Sequence, residues 1–332
     1  MANKGEGTML TRRRMMTLFG AATLAAPQRA FSQSFPSRSL RLIVPYAAGG
    51  GTDAIARLIA DATGEQLGQT MVVENNGAGG GNIATTMAAA APPDGYTVLM
   101  ANQGPMVVNP HLFKSLKVDP LTAFDPVTLI TSAPLLVVVP KDARFTNFRQ
   151  LMDFGSANAG RLTYGSAGSG SASHMATVLL AKLAKLEMVH VPYRGAGPAI
   201  ADLLGGRTDF MITTVPSVAG LVETGQMRAL AVTSKARTRK FPDVPTIAES
   251  GWQGYEAGAW YGFVVPKGTP SDVSDRLRAA TVAAITTQRV RDRLQNEGAE
   301  PIGSTPQEFS EMMRTESKRW ADVLKDVAIS VE

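Results

Sequence analysis

Four glycine-rich loops constrain this chain most. Each follows a short β-branched run and each leads into a helical segment. They span residues 47–53, 75–82, 165–173 and 192–198. Between them the periodicity alternates. Residues 40–46 form an apolar β-branched run. Residues 53–67 then carry Ile55, Leu58, Ile59 and Ala62 on a helical stripe ended by Gly68. Further strands are predicted at 71–74, 96–101, 135–139, 162–166, 188–191, 210–213 and 230–233. Two helices are predicted among them, one with Met175, Val178, Leu179, Leu183 and Leu186 on one face, the other at 198–204, opened by proline and stopped by Gly205-Gly206. Such alternation implies α/β architecture with largely parallel sheets and helices on both faces.

A strand, a small-residue loop and a helix start together make a generic anion cradle. Glycine lets backbone approach a ligand, first-turn N–H groups are unpaired, and the helix dipole favours negative charge. In open α/β sheets ligands sit at the carboxyl ends of strands, where these loops lie. Any single glycine run is explained by a tight turn. Four along one chain point to a shared cleft.

The segment 136–142 echoes 263–268, and both read as extended crossings between two lobes. On that reading residues 36–137 and 264–332 form one lobe and 138–263 the other. The chain then returns to the first lobe through two helices. Thr305, Pro306 and Glu308 make a capping box with proline at N1, and Phe309, Met312, Met313, Trp320, Val323 and Leu324 make a core face.

Residues 1–32 have the anatomy of a secretory signal. Arg12–Arg14 precede an apolar run at 15–26, too short to span a bilayer, and small residues at Ala30 and Ser32 suit cleavage after Ser32. The arginines fit either a Sec or a twin-arginine signal. This leader carries five basic residues against Glu6, leaving 28 basic and 27 acidic in the remainder. The basic character thus belongs to the leader, and the rest makes no electrostatic case for nucleic acid or anionic membrane. The chain has no cysteine, which excludes disulfides and thiolate metal sites. A soluble periplasmic protein without cofactor or metal is expected.

Other chemistries fit less well. Gly49-x-Gly51-x-x-Ala54 and Gly79-x-Gly81-x-x-Ala84 match a relaxed dinucleotide pattern, but such matches are common with 32 glycines, and no Walker A lysine follows any loop. Ser166, Ser169, Ser171 and Ser173 lie near His174, yet none sits in G-x-S-x-G. The three histidines, 111, 174 and 190, lack metal-ligand spacing. His190 reads as structural, His174 as a loop or ligand contact, and Asp53 as an N-terminal dipole partner and loop brace.

The loops together resemble the Bug family, the extracytoplasmic receptors of tripartite tricarboxylate transporters. The matching elements are Ile43-Val44-Pro45-Tyr46 through Gly49-Gly50-Gly51-Thr52-Asp53, Val73-Glu74-Asn75 with Gly77-Ala78-Gly79-Gly80, and Pro93-Asp94-Gly95-Tyr96-Thr97. They continue with Tyr164-Gly165-Ser166-Ala167-Gly168 and His174, Val191-Pro192-Tyr193-Arg194-Gly195, and Phe241-Pro242-Asp243-Val244-Pro245-Thr246. The family often has Arg-Pro where this chain has Asn76 before Gly77. The resemblance implies a two-lobed type II periplasmic-binding fold, each lobe a mixed, mostly parallel sheet flanked by helices. It implies a non-enzymatic, monomeric receptor that hands a small carboxylate (a dicarboxylate, amino acid or aromatic acid) to membrane transporter subunits. It implies a carboxylate held by loop amides, hydroxyls and water. The alternatives are an exported serine hydrolase and a binding protein feeding a membrane sensor kinase. Candidate ligand-binding residues are Tyr46, Gly50, Gly51, Thr52, Asp53, Ala78, Gly79, Asn102, Ser166, Ala167, Gly168, Ser169, His174, Tyr193, Arg194 and Thr213. Gly50 and Gly168 are expected to be intolerant of bulk, because backbone touches the ligand there and a side chain at Gly50 would also forbid a positive φ, and Arg194 is expected to face solvent.

Overall fold

Strand and helix alternate through the computed structural model, which describes residues 1–2, 35–296 and 298–325. The leader expected at 1–32 therefore lies almost wholly outside the described residues. The elements are β1 (Leu40–Val44), α1 (Gly51–Leu67), β2 (Met71–Asn75), α2 (Asn82–Ala89), β3 (Thr97–Asn102), the single turns α3 (Asn109–Leu112) and α4 (Pro120–Ala123), β4 (Phe124–Pro140), α5 (Phe148–Ala157), β5 (Leu162–Ser166), α6 (Ala172–Ala184), β6 (Met188–Pro192) and α7 (Ala196–Leu204). They continue with β7 (Phe210–Thr214), α8 (Val215–Glu223), β8 (Met227–Val232), β9 (Gly258–Pro266), α9 (Ser271–Thr286), α10 (Gln288–Asn296), β10 (Glu300–Pro301) and α11 (Pro306–Leu324).

The strands form two sheets that share β4. In the first, β2, β1 and β3 are parallel, while β9, β4 and β10 run antiparallel. In the second, β6, β5 and β7 are parallel, and β7 and β8 each pair antiparallel with β4. Each sheet is therefore mixed rather than largely parallel. The reason is β4. It pairs with β9 as far as Pro134, then with β7 and β8 from Leu135 and Leu136 onward. The chain returns at Gly258, where β9 begins.

Strand alternation sorts side chains to the two faces. On β4, Leu135, Val137 and Val139 enter one apolar cluster, and Leu136 and Val138 the opposite one. On β9, Tyr261, Phe263 and Val265 face α1 and α9, while Trp260 and Val264 face α11. Each fully buried large side chain contributes about 1.5–3 kcal/mol. Ile55 and Ile59 of α1 are fully buried, and Gly68 ends that helix in the left-handed region, its N–H donating to the Gly64 carbonyl. The capping box at Thr305 is present, with Phe309, Met313 and Trp320 buried behind it.

Three expectations shift. Helix α7 starts at Ala196, two residues before its proline. Leu183 of α6 is exposed and Leu186 lies beyond the left-handed Lys185. The buried face runs instead through Met175, Ala176, Val178 and Leu180, because the helix is covered on two sides. After β9 the chain makes three helices, α9, α10 and α11, rather than two. Among the described residues no helix is long and apolar enough to cross a membrane.

Candidate functional site

A narrow cleft, with about 40 Å³ of room for water, lies where the carboxyl ends of parallel strands from both sheets meet. The first sheet contributes Tyr46, Ala47 and Gly50–Thr52 after β1, with Asn102 and Gln103 at the end of β3. The second contributes Ala167 and Ser171–Ser173 after β5, Thr213, Thr214 and Ser217 around the end of β7, and Ala196. Ala259, Trp260 and Tyr261 of β9 complete the wall. Among the described residues, no charged side chain lines the cleft.

Seven of the residues expected from sequence meet there: Tyr46, Gly50, Gly51, Thr52, Asn102, Ala167 and Thr213. A neighbouring, more open cleft takes Gly79, Gly168, Ser169, Tyr193 and Arg194, with Gly77 and Phe113. Tyr193 Oη donates to Asp202 Oδ2 at 2.8 Å. The Arg194 side chain is exposed, while its carbonyl accepts from Ala47 N at 2.9 Å and so ties the fourth loop to the first.

Asp53, Ala78, Ser166 and His174 line neither cleft. Asp53 braces the first loop, accepting from Gly49 N and Asn75 Nδ2 at 3.0 Å each and pairing with Arg57. Burial works to raise its pKa, but the bonds from Arg57, Gly49 N and Asn75, with the Arg57 charge, outweigh it, and the carboxyl titrates below its ordinary value. Ala78 N donates to Asn76 Oδ1.

Ser166 is fully buried. Its Oγ lies 2.6 Å from His190 Nε2 and accepts from Gly168 N. A serine beside a histidine invites the hydrolase reading, but this hydroxyl is sealed off from the cleft. His174 Nδ1 accepts from Gly170 N at 3.0 Å, which leaves the ring proton on Nε2. Its ring stacks on His190 at 3.9 Å between centroids. Burial, with His190 alongside, lowers the His174 pKa to about 3, and burial lowers that of His190 to about 4. Both rings are neutral packing elements near neutral pH.

Several loop amides expected to cradle an anion already have partners. Besides those of Ala47, Gly49, Ala78, Gly168 and Gly170, Gly51 N donates to Ser217 Oγ at 2.8 Å. Gly50 supplies no side-chain cap, so the first turn of α1 is capped by a hydroxyl from the other sheet. Thr214 Oγ1 lies 2.8 Å from the same Ser217 Oγ. A Cβ at Gly51 would overlap Thr214 Oγ1 and come within 2.8 Å of Ser217 Oγ. Gly50 has φ −101°, so the positive φ expected there is absent. Its constraint is close approach, since a Cβ would stand 3.0 Å from Ala196 Cβ.

What the cleft does offer is neutral donors. Asn102 Nδ2 and Trp260 Nε1 are buried without a partner, and both residues line it. Sequence reasoning missed Gln103, Ser217, Trp260 and Tyr261. Of these only the aromatic pair had a signal, standing just before the segment read as a crossing. Ser217 reaches the site solely because β7 brings α8 to face α1.

Comparison with known proteins places these features. A family model described as the tripartite tricarboxylate transporter family receptor matches residues 55–329. A protein encoded in the tcbD-tcbE intergenic region of Pseudomonas sp. strain P51 is 38% identical over 321 residues, covering 96% of this chain and 95% of that one. The solved Rhodopseudomonas palustris protein with adipate is 35% identical with a TM-score of 0.85, covering 88% of this chain and 97% of its own. MatC of the same organism, solved with bound malate, is 34% identical with a TM-score of 0.83, covering 87% and 100%.

Proposed function

Because this chain belongs to the receptor family of tripartite tricarboxylate transporters, we propose that it captures a small carboxylate in the periplasm and presents it to membrane transporter subunits. One observation carries the reading. The cleft joins strand ends of both sheets, lacks charged side chains and holds two buried N–H donors with no partner. Buried donors left unpaired are rare in native proteins unless a ligand or water completes them. A carboxylate surrounded by neutral donors keeps its charge when hydrogen bonds replace its hydration. The adipate and malate bound by the two Rhodopseudomonas palustris relatives support the ligand class.

The two sheets act as lobes; the boundaries read from sequence at 137–138 and 263–264 are drawn instead near 134–135 and 257–258, because β4 leaves β9 after Pro134 and β9 begins at Gly258, and the chain works as a monomer. Ligand is enclosed when the Ala47–Arg194 and Gly51–Ser217 bonds form across the cleft. Closure then creates the surface that a transporter reads. The protein binds without turnover: Ser166, beside His190, is buried away from the cleft, and the cleft hydroxyls of Ser171 and Ser173 are engaged by His174 N and Ile212 O. Export relies on a leader within residues 1–32, cleaved before the described fold begins.

Native mass spectrometry of the purified protein, followed by calorimetric titration of dicarboxylates, amino acids and aromatic acids, tests the reading. A co-purifying carboxylate that binds tightly and is released unchanged is expected. Turnover of simple esters, with no carboxylate bound, would overturn it in favour of a hydrolase.

A further inference from the structure

We propose that Asn102 reads an acceptor oxygen of the ligand, and that Tyr46 is the positioning residue that fixes Asn102 as a donor. The inference rests on the receptor reading above. Asn102 ends β3, is 5% exposed, and its backbone lies opposite Tyr261 of β9. Its two amide atoms are treated differently. Oδ1 accepts from Tyr46 Oη at 3.3 Å, whereas Nδ2 is buried and unpartnered beside the cleft. A buried side-chain amide with one end satisfied and one end idle is a site awaiting a complementary group.

Tyr46 holds this arrangement. It is 7% exposed and lies two residues past the end of β1, after Pro45, which keeps its ring close to the strand end. Gly104 gives its hydroxyl room, since a Cβ there would stand 2.8 Å from Oη. Burial, with Tyr261 nearby, raises the phenol pKa well above its ordinary value, so the hydroxyl keeps its proton. With Oδ1 engaged by that proton, Asn102 can donate to the cleft but cannot accept there. The site thereby favours a carboxylate oxygen over a donor such as an amide N–H or an ammonium at this point. This is specificity by leaving the wrong partner unpaired.

The test is calorimetry with adipate, malate, benzoate and nicotinate, each beside its neutral amide counterpart, on wild type, Asn102→Asp and Tyr46→Phe. Asn102→Asp keeps the shape but replaces the donor with an acceptor. It should weaken the best-bound acid by about tenfold or more while its amide binds as well as before or better. Tyr46→Phe lets the Asn102 amide turn over, so the acid-to-amide affinity ratio should fall by roughly three- to tenfold. Unfolding midpoints of the ligand-free variants monitor the fold, and general loosening would move acid and amide alike. Equal losses for both in Asn102→Asp, or no loss, would overturn the donor role. An unchanged ratio in Tyr46→Phe would overturn the positioning role. A wild-type protein that binds no member of the panel would remove the receptor reading itself, and this inference with it.

Discussion

Ser217→Ala is the sharpest probe of closure. In the structure Ser217 Oγ accepts from Gly51 N at 2.8 Å, and Gly50 offers no alternative cap. Gly51 is buried, so the substitution leaves a first-turn N–H without a partner in the closed form. A buried unpaired donor costs about 1–3 kcal/mol. In an open form water reaches the same N–H, and nothing is lost. The cost therefore falls on closure alone and should appear in ligand affinity, as a loss of roughly fivefold to a hundredfold at 1.4 kcal/mol per decade. Thr214→Ala is the control, because it removes the neighbouring hydroxyl and spares the Ser217 acceptor. It should cost no more than about threefold, a fraction of one neutral hydrogen bond. Calorimetry with the carboxylate found by mass spectrometry measures both. Small-angle scattering should show Ser217→Ala needing more ligand to reach its compact form. A Ser217→Ala protein that binds as tightly as wild type, or more tightly, would refute the reasoning. The Gly51 amide would then be paired by ligand or water, and Ser217 would be a bystander.

Three further outcomes are expected. Thr233→Val removes the hydroxyl that accepts from Leu135 N at 2.8 Å and donates to Ala257 O at 2.7 Å, pinning the two crossing segments together; it should cost about 1–3 kcal/mol in urea unfolding, with an unchanged slope against denaturant. Arg194→Ala should alter affinity by less than about threefold, because its side chain is exposed and only its carbonyl bridges the loops; loss of binding would show that the guanidinium clamps the ligand. Stability should fall with acid from about pH 6.5 toward pH 4, because the unfolded chain protonates His174 and His190 near their ordinary value of 6.5 while the folded pKa values stand at about 3 and 4. Each histidine adds up to about 1.4 kcal/mol per pH unit in that window, and His174→Asn, which keeps an acceptor for Gly170 N, should flatten the slope; an identical slope in the variant would refute the assignment.

Local rules made much of this protein legible from its sequence. The stripe of α1 and its stop at Gly68, the β5 and β7 runs, and the capping box at Thr305 depend on neighbours within a few residues. Periodicity and side-chain chemistry therefore define them. The glycine loops likewise marked the strand ends where the cleft opens. Tertiary structure decided what those loops do. Glycine permits close approach but does not say to what. Here the approach is often to another loop, with Arg194 O taking Ala47 N and Ser217 Oγ taking Gly51 N. The remaining donors, Asn102 Nδ2 and Trp260 Nε1, sit on neighbouring strands whose residues are more than 150 positions apart in the chain. Their register comes from pairing between β3 and β9, which sets Asn102 opposite Tyr261, the neighbour of Trp260. A hydrogen-bond donor becomes a binding group only when folding buries it and leaves it unpaired, and that depends on every surrounding residue at once.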